Sequence, residues 1–336
     1  MVKLFTSFCL MALLTLNSYA QEEPVRISGF AQGTTYHITY YDQKNRDLKP
    51  EIEQLLDRFN KSVSLYDSSS IITKVNNNDS NVILDDYFKV CFNKSMEVSK
   101  ATDGAFDATV GPLVDGWGFS FKKKEKMDSA EVDSILKFTG YQMVEMTEGK
   151  VIKKDNRIQL DFNALAQGYS VDLVSRLLDS ENILCYIVEI GGEVYAKGKK
   201  PNGDFWKVGI EKPVDNREGS NPLIAVANIE NKALNTSGNY RKFYIENGIR
   251  YSHEINPKTG YPAHNNVLSA TVLANDCISA DAYATAFMVM GLEKSIQFLS
   301  KHHELSAYLI YSDEKGNYQI FESPELKNII SETSPE

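Results

Sequence analysis

A stretch of small residues near the C-terminal end, residues 280–286, most restricts how this chain can fold. It lies in a run of helix formers, and because protein interiors are close-packed, its alanines require a close neighbour, either another backbone or a bulky ligand. Asp281 and Thr285 are four residues apart and therefore share one helical face. A carboxylate and a hydroxyl side by side are hard oxygen ligands suited to Mg²⁺, but Asp and Thr near a helix start also serve as caps. Both interpretations remain open at this stage.

The N-terminus is typical of a secretory signal peptide. Lys3 precedes an apolar stretch over residues 4–16, and Ser18 and Ala20 fit a small-x-small cleavage pattern that leaves Gln21 first. The apolar run is too short for a membrane span, and no later run is long enough for one. We therefore predict residues 1–20 as a signal peptide of an exported protein; the alternative is an uncleaved N-terminal anchor.

Charge and cysteine content exclude some classes of protein. A formal net charge of −9 argues against a general nucleic-acid binder. After the predicted cleavage three cysteines remain, Cys91, Cys185 and Cys277, and an odd, sparse set is not a disulfide framework. We expect them to be small buried hydrophobic residues.

Strand and helix patterns alternate along the chain without a strict βαβ rhythm, which favours an α+β (mixed α/β) fold with largely antiparallel sheets and packed helices. No Gly-x-Gly-x-x-Gly motif follows a strand, so a Rossmann site is not supported. One domain is predicted over residues 21–325, followed by a polar, frayed tail over 326–336. The clearest predicted elements are a hairpin over 25–41, helices over 50–60, 85–102, 129–138, 164–178, 279–290 and 292–300, and strands over 157–162, 183–190, 267–274, 306–311 and 318–321.

Five other stretches combine small residues with polar groups that can face a ligand, and each also has an ordinary structural interpretation. Asp107 and Thr109 could form one wall of a ligand site on an extended segment, or an Asx turn before Pro112. Asn163 could face a ligand, or cap a helix. His253 is the best-placed candidate base among five histidines, although a single His is often structural. The five stretches are residues 102–114, 160–172, 188–193, 235–240 and 251–260.

Taken in order, these stretches resemble the ApbE family, the FAD:protein FMN transferases. The resemblance extends from about Gly33 to Tyr311, and nine blocks in the family's order are far more specific than any one of them. The matching blocks are residues 33–36, 64–66 with Ser70, 104–109 with 111–113 and 117–118, 167–169 with Asp172, 191–193, 206–210 with Pro213, 236–240, 253–257 with 259–260, and 280–281 with Thr285.

The resemblance implies an ApbE-like fold and a flavin-transfer activity outside the cytoplasm, so that the expected location is periplasmic. Such an enzyme splits FAD, attaches FMN through a phosphoester to a Thr or Ser of a target flavoprotein, and releases AMP. The expected acceptors are flavin domains of membrane respiratory complexes. Three alternatives remain: an Mg²⁺-dependent FAD pyrophosphatase that uses water as acceptor, a non-enzymatic flavin-binding protein, and a structural envelope protein.

The resemblance also assigns roles to individual residues. Asp281, Thr285 and the main-chain carbonyl of Ala166 would hold Mg²⁺, while His253 or Asp107 would assist the reacting hydroxyl. Gln167 is a departure, because many members have Lys at this position, which puts the strength of FAD binding in doubt. The residues at positions that contact FAD in the family are Gln32, Tyr66, Ala105, Phe106, Asp107, Asn163, Tyr169 and Ile255.

Overall fold

The computed structural model of the chain describes residues 23–119, 127–214, 222–239, 243–246 and 249–333. The predicted signal peptide, residue Tyr240 of the fourth motif stretch and the last three residues of the predicted tail lie outside the described residues. Within the described ranges, no helix is both long and apolar enough to span a bilayer.

The centre of the fold is an eight-stranded sheet in which every neighbouring pair is antiparallel, in the order β1-β2-β5-β6-β9-β12-β13-β14. A three-stranded sheet, β15-β8-β7, and two hairpins, β3-β4 and β10-β11, complete the described strands. The strands are β1 (Val25–Ala31), β2 (Thr34–Tyr40), β3 (Val144–Thr147), β4 (Lys150–Lys153), β5 (Tyr186–Ile190), β6 (Glu193–Lys197), β7 (Trp206–Glu211), β8 (Leu223–Ile229), β9 (Lys232–Gly238), β10 (Phe243–Glu246), β11 (Ile249–Ser252), β12 (Val267–Ala274), β13 (Ser306–Ser312), β14 (Tyr318–Glu322) and β15 (Ile330–Glu332).

Helices cover one face of this sheet and the three-stranded sheet covers the other. Because successive side chains of a strand point to opposite faces, Val272 of β12 enters the core beneath the helices while Leu273 enters the core beneath the small sheet. The helices are α1 (Lys49–Val63), α2 (Ile71–Asn76), α3 (Asp86–Ala101), α4 (Gly111–Gly116), α5 (Ser129–Leu136), α6 (Asn163–Ser180), α7 (Cys277–Met290) and α8 (Leu292–Leu299). The mixed, largely antiparallel fold predicted from the sequence is confirmed.

Helix α7 is the most enclosed helix on this face. It packs against α6 and α3 on one side and against β9 and β12 on the other. Most of its side chains are buried all round its circumference, which suits a helix in the core of a domain. The alanine-rich stretch therefore lies where two layers meet.

A third, smaller core forms beside the main one. Leu113 and Trp117 of the α4 region pack with Val132 of α5 and with Ile255, which follows β11. The Trp117 Nε1–H donates to the carbonyl of Gly260 at 2.8 Å. These contacts hold the segment after β11 in place, including the candidate base His253.

Two sequence-based expectations fail. No strand forms over residues 157–162; instead the Leu160 N–H donates to Asn76 Oδ1 at 2.7 Å and the Asp161 N–H donates to the Ala108 carbonyl at 2.7 Å. The Asn76 side chain and the loop at Ala108 thus take the hydrogen bonds that a neighbouring strand would otherwise have formed with this segment. The described part of the predicted frayed tail is also folded, because Leu326 and Ile330 are buried and β15 pairs with β8.

Candidate functional site

The alanine-rich stretch packs against a second backbone, as one of its two interpretations required. Gly168 of α6 lies so close to α7 that a Cβ there would be 2.4 Å from the Cys277 carbonyl oxygen. Its N–H donates to Asp281 Oδ2 at 3.0 Å. Capping of α7 is done by Asp276, whose side chain accepts from the Ser279 N–H. The capping interpretation of Asp281 and Thr285 is therefore wrong, because both lie inside the helix.

Thr285 connects this helix to the fourth motif stretch. Its Oγ1 is 3.3 Å from Ser237 Oγ on β9, and the neighbouring Thr236 hydroxyl is 2.8 Å from that of Thr271 on β12. The Thr236–Thr271 pair lies on the opposite face of the sheet, because successive side chains of a strand point to opposite faces, so of these four hydroxyl groups those of Ser237 and Thr285 lie on the side of α7. Hydroxyl groups both donate and accept hydrogen bonds, so the Ser237–Thr285 pair suits an oxygen-rich ligand.

Two buried carboxylates lie near the start of α7, where this helix contacts α6. Asp172 of α6 accepts from the Cys277 and Ile278 N–H groups, at 2.8 and 3.0 Å. Burial raises the pKa of Asp172 against the lowering effect of these two hydrogen bonds. Burial likewise raises the pKa of Asp281, and the charge of Asp172 adds to the increase.

These raised pKa values predict that the metal-free protein loses stability as pH rises. In the unfolded chain these carboxyl groups ionise at their ordinary pKa of 3.8, but in the folded protein they hold their protons to higher pH. Above about pH 4 the folded state therefore binds more protons than the unfolded state, and the free energy of unfolding falls as pH rises toward the raised pKa values. We expect the melting temperature in EDTA to decrease between about pH 4 and pH 8 more steeply for the wild type than for Asp281→Asn. Parallel pH profiles of the two proteins would contradict this account.

The donor set at Asp281 fits a hard divalent cation. In the part of the chain that the structure describes, no positively charged side chain contributes to the pKa of Asp281, and no group of three or more His, Cys, Asp or Glu side chains could hold a metal. A cation here would need further oxygens from the main chain or the substrate. Mg²⁺ commonly binds in this way, through one or two carboxylates and substrate phosphates.

A small cleft of about 60 Å³ opens near the start of α6, lined by side chains that include Tyr66, Asn163, Asp115 and Asp161. Desolvation, followed by the charge of Asp115, raises the pKa of Asp161 to about 6. Asn163 is the first residue of α6, and its N–H donates to Asp161 Oδ1 at 2.7 Å. Its side chain forms no capping hydrogen bond, so the capping interpretation of Asn163 is wrong. Neither aspartate was predicted from the sequence as a candidate site residue, although Asp161 lies two residues before the start of α6, where an acidic side chain is favoured and is a usable signal.

Asp107 forms the Asx turn that was one of its two interpretations. Its Oδ1 accepts from the N–H and the hydroxyl of Thr109, and its Oδ2 accepts from the Tyr141 N–H at 2.7 Å. Residues 104–109 form turns and bends and no strand, so the predicted extended segment is wrong. Because both carboxylate oxygens already accept hydrogen bonds from the protein, His253 is the better candidate for a base.

Two glutamines meet where the β1–β2 turn approaches α6. Gln32 has a positive φ of 54°, its Oε1 accepts from the Ser170 hydroxyl at 3.3 Å, and its buried Nε2 has no partner among the described residues. The amide nitrogen of Gln167 packs over Gly191, where a Cβ would be only 2.2 Å away. Gly191 has φ of 66°, so its lack of a side chain serves both the turn and the packing. The Gln167 amide thus lies beside the Gly-Gly turn after β5, and the Gln32 amide lies beside Ser170 of α6.

The remaining predicted FAD contacts divide into exposed and buried side chains. Tyr66 is 72% exposed at the cleft, and Ala105 is half-buried. Phe106 and Ile255 are buried, and Tyr169 packs edge-on against Phe59 in the main core, with ring centroids 5.6 Å apart. The structure thus leaves Tyr66 and Asn163 open at the cleft, whereas the ring of Tyr169 supports the core.

His253 lies at a bend directly after β11, and its side chain is 37% exposed. Its ring centroid is 6.5 Å from that of Phe119, and its Nδ1 is 3.4 Å from Glu254 Oε1. Partial exposure leaves room for a reacting group beside the imidazole.

Known proteins of one family are similar to this chain over most of its length. The ApbE family model matches residues 32–309. A protein of Haemophilus influenzae named FAD:protein FMN transferase is 33% identical over 94% of this chain and 95% of its own length. A protein of the same name from Vibrio cholerae is 33% identical over 92% of this chain and 93% of its own length.

Solved structures show the same fold. The flavin transferase ApbE from Vibrio cholerae aligns with a TM-score of 0.82 and 31% identity, over 91% of this chain and 99% of that one. The apo form of Pseudomonas stutzeri flavinyl transferase ApbE aligns with a TM-score of 0.82 and 27% identity, over 92% of this chain and 97% of that one. The similarity therefore extends over nearly the whole described chain.

Proposed function

The chain belongs to the ApbE family and is a transferase, and we propose that it transfers FMN from FAD to a hydroxyl group of a protein. The observation that carries this proposal is the Asp281–Thr285 pair at the contact between α6 and α7. A buried carboxylate without a cationic partner in the described chain, on the same helical face as the Thr285 hydroxyl that pairs with Ser237, fits an Mg²⁺ ion bound to a diphosphate.

In the proposed reaction, the oxygen of an acceptor Thr or Ser forms a bond to the phosphorus of the FMN half of FAD. The diphosphate bond to the AMP half breaks, and AMP leaves with that bridging oxygen. Asp281, Thr285 and the main-chain carbonyl of Ala166 would hold Mg²⁺, which neutralises charge on the diphosphate when bound.

The side chains of this protein orient the reactants and move the proton. His253 takes the proton of the acceptor hydroxyl at a ring nitrogen, because it is the half-exposed base of the site. The exposed ring of Tyr66 and the cleft beside Asn163 offer a surface for the flavin half of the substrate. Where many members of the family have a positively charged Lys, Gln167 provides an amide N–H donor.

We also propose a location and an acceptor class. The N-terminal pattern of residues 1–20 favours export, and hence a periplasmic enzyme that is either released or membrane-associated through an uncleaved N-terminus. Flavin domains of membrane respiratory complexes would then be the acceptors, because they present Thr or Ser on the same side of the membrane. Cell fractionation with an antibody to the mature chain tests the location directly.

The reaction is tested by incubating the protein with FAD, Mg²⁺ and a candidate acceptor domain, and weighing the acceptor by mass spectrometry. A mass gain of one FMN group together with released AMP is the expected result. Release of free FMN and AMP without a mass gain would identify a pyrophosphatase that uses water. Intact FAD with several acceptors would leave only flavin binding and would overturn the proposal.

A further inference from the structure

Glu254 has an unusual environment for a carboxylate. Its side chain is 3% exposed, and neither of its carboxylate oxygens has a hydrogen-bond partner within the described ranges. A buried polar group without a partner usually costs stability, and a charged one costs more. Such a residue therefore suggests a role other than support of the fold.

The backbone around Glu254 is firmly held. Its carbonyl accepts from the Ala263 N–H at 2.7 Å, and Ile255 forms an isolated bridge with Pro262. The chain bends at His253, so the two neighbouring side chains converge instead of pointing to opposite faces as in a strand. As a result, Glu254 Oε1 lies 3.4 Å from His253 Nδ1, which is an ion-pair distance, although the two atoms do not form a hydrogen bond in this arrangement.

We propose that Glu254 is a positioning residue for His253, an inference that rests on the proposed function. Its carboxylate keeps a proton on Nδ1, which leaves Nε2 as the acceptor nitrogen. The proton of the acceptor hydroxyl then passes to Nε2, and the carboxylate stabilises the imidazolium until that proton is released to solvent. A hydrogen bond to one ring nitrogen commonly decides which nitrogen of a histidine reacts.

Structural support alone does not explain the burial of this carboxylate. Replacement of a buried charged group by an apolar one of similar volume is often neutral or stabilising. Glu254→Met should therefore retain or raise the melting temperature while it removes the partner of His253. A residue kept only for the fold would show the opposite result.

The experiment measures the imidazole directly and the reaction separately. Nitrogen-15 NMR of histidine-labelled protein reports which ring nitrogen of His253 carries the proton, and it requires no turnover. We compare wild type, Glu254→Met and Glu254→Gln, and follow FMN transfer and thermal unfolding in the same samples. Glu304→Gln is the matched control, because Glu304 Oε1 pairs with His302 Nδ1 at 2.9 Å on the exposed surface.

In the wild type we expect the proton on Nδ1 of His253, and in Glu254→Met we expect it to shift to Nε2. The Met variant should lose about tenfold or more in kcat, with the KM for FAD changed by less than about twofold. Glu254→Gln should keep the Nδ1–H form, because its amide oxygen can still accept, and recover part of kcat. Glu304→Gln should leave both readouts unchanged.

An unchanged His253 spectrum in Glu254→Met would overturn the proposal, as would wild-type kcat in an active preparation. A parallel fall of kcat and melting temperature that Gln does not relieve would also overturn it, in favour of a structural role. If the wild type transfers no FMN, the proposed function fails, and the NMR comparison still decides whether Glu254 sets the protonation of His253.

Discussion

Asp281→Asn is expected to lower FMN transfer by at least about 100-fold, because loss of the only carboxylate assigned to Mg²⁺ removes several kcal/mol of charge stabilisation. The fold should survive, since Asn is nearly isosteric and its amide oxygen can still accept from the Gly168 N–H. Rates with a purified acceptor domain, measured across a series of Mg²⁺ concentrations, give the size of the loss.

Thermal unfolding provides an independent readout of the same assignment. Mg²⁺ should raise the melting temperature of the wild type, because a ligand that binds only the folded state stabilises it, and this shift should disappear in Asp281→Asn. Asp276→Asn is the control on the same helix, because Asn caps a helix about as well as Asp. Equal Mg²⁺ shifts in wild type and Asp281→Asn would sink the metal assignment.

Gly168→Ala should damage both stability and activity. The added Cβ would lie 2.4 Å from the Cys277 carbonyl oxygen and 2.8 Å from Asp281 Cβ, so α6 and α7 must move apart. Overpacking of this kind costs about 1–3 kcal/mol, and a displacement of Asp281 by about 1 Å can reduce catalysis about 100-fold. Urea unfolding and transfer rates measure the two effects.

Gly209→Ala separates this clash from the general effect of adding a methyl group. The atoms nearest to a Cβ at this position of β7 belong to the exposed Leu223 side chain, which can rotate away. We expect wild-type transfer rates and a small stability change in this control. Gly168→Ala with wild-type stability would show that the two helices are less tightly packed than the structure indicates.

The elements that the sequence predicted well are those with strong periodic patterns. Helix α3 and strand β12 begin and end within a residue or two of their predicted limits, because long apolar patterns depend little on tertiary context. The Asp281–Thr285 pair was also identified correctly as a shared helical face, since a four-residue spacing fixes that geometry locally.

The failures arise where distant residues replace a local partner. An apolar run at 157–162 suggested a strand, yet the side chain of Asn76, 84 residues away, takes the hydrogen bonds of Leu160. Similarly, the environment of Glu254 depends on a bend and on contacts that no periodic pattern encodes. Sequence motifs predicted which residues are candidates for the site, whereas the hydrogen-bond partner of each side chain required the structure.

The strand order has a consequence for the biogenesis of the protein. Asp281 and Thr285 lie on α7, which follows β12, whereas Gly168 lies more than 100 residues earlier on α6. Contacts between such distant segments close large loops and form slowly. A chain released before β12 would contain the α6 half of the site without Asp281 and Thr285, the two side chains proposed to bind the metal, so on that proposal the transferase becomes competent only after nearly all of its polypeptide has been made.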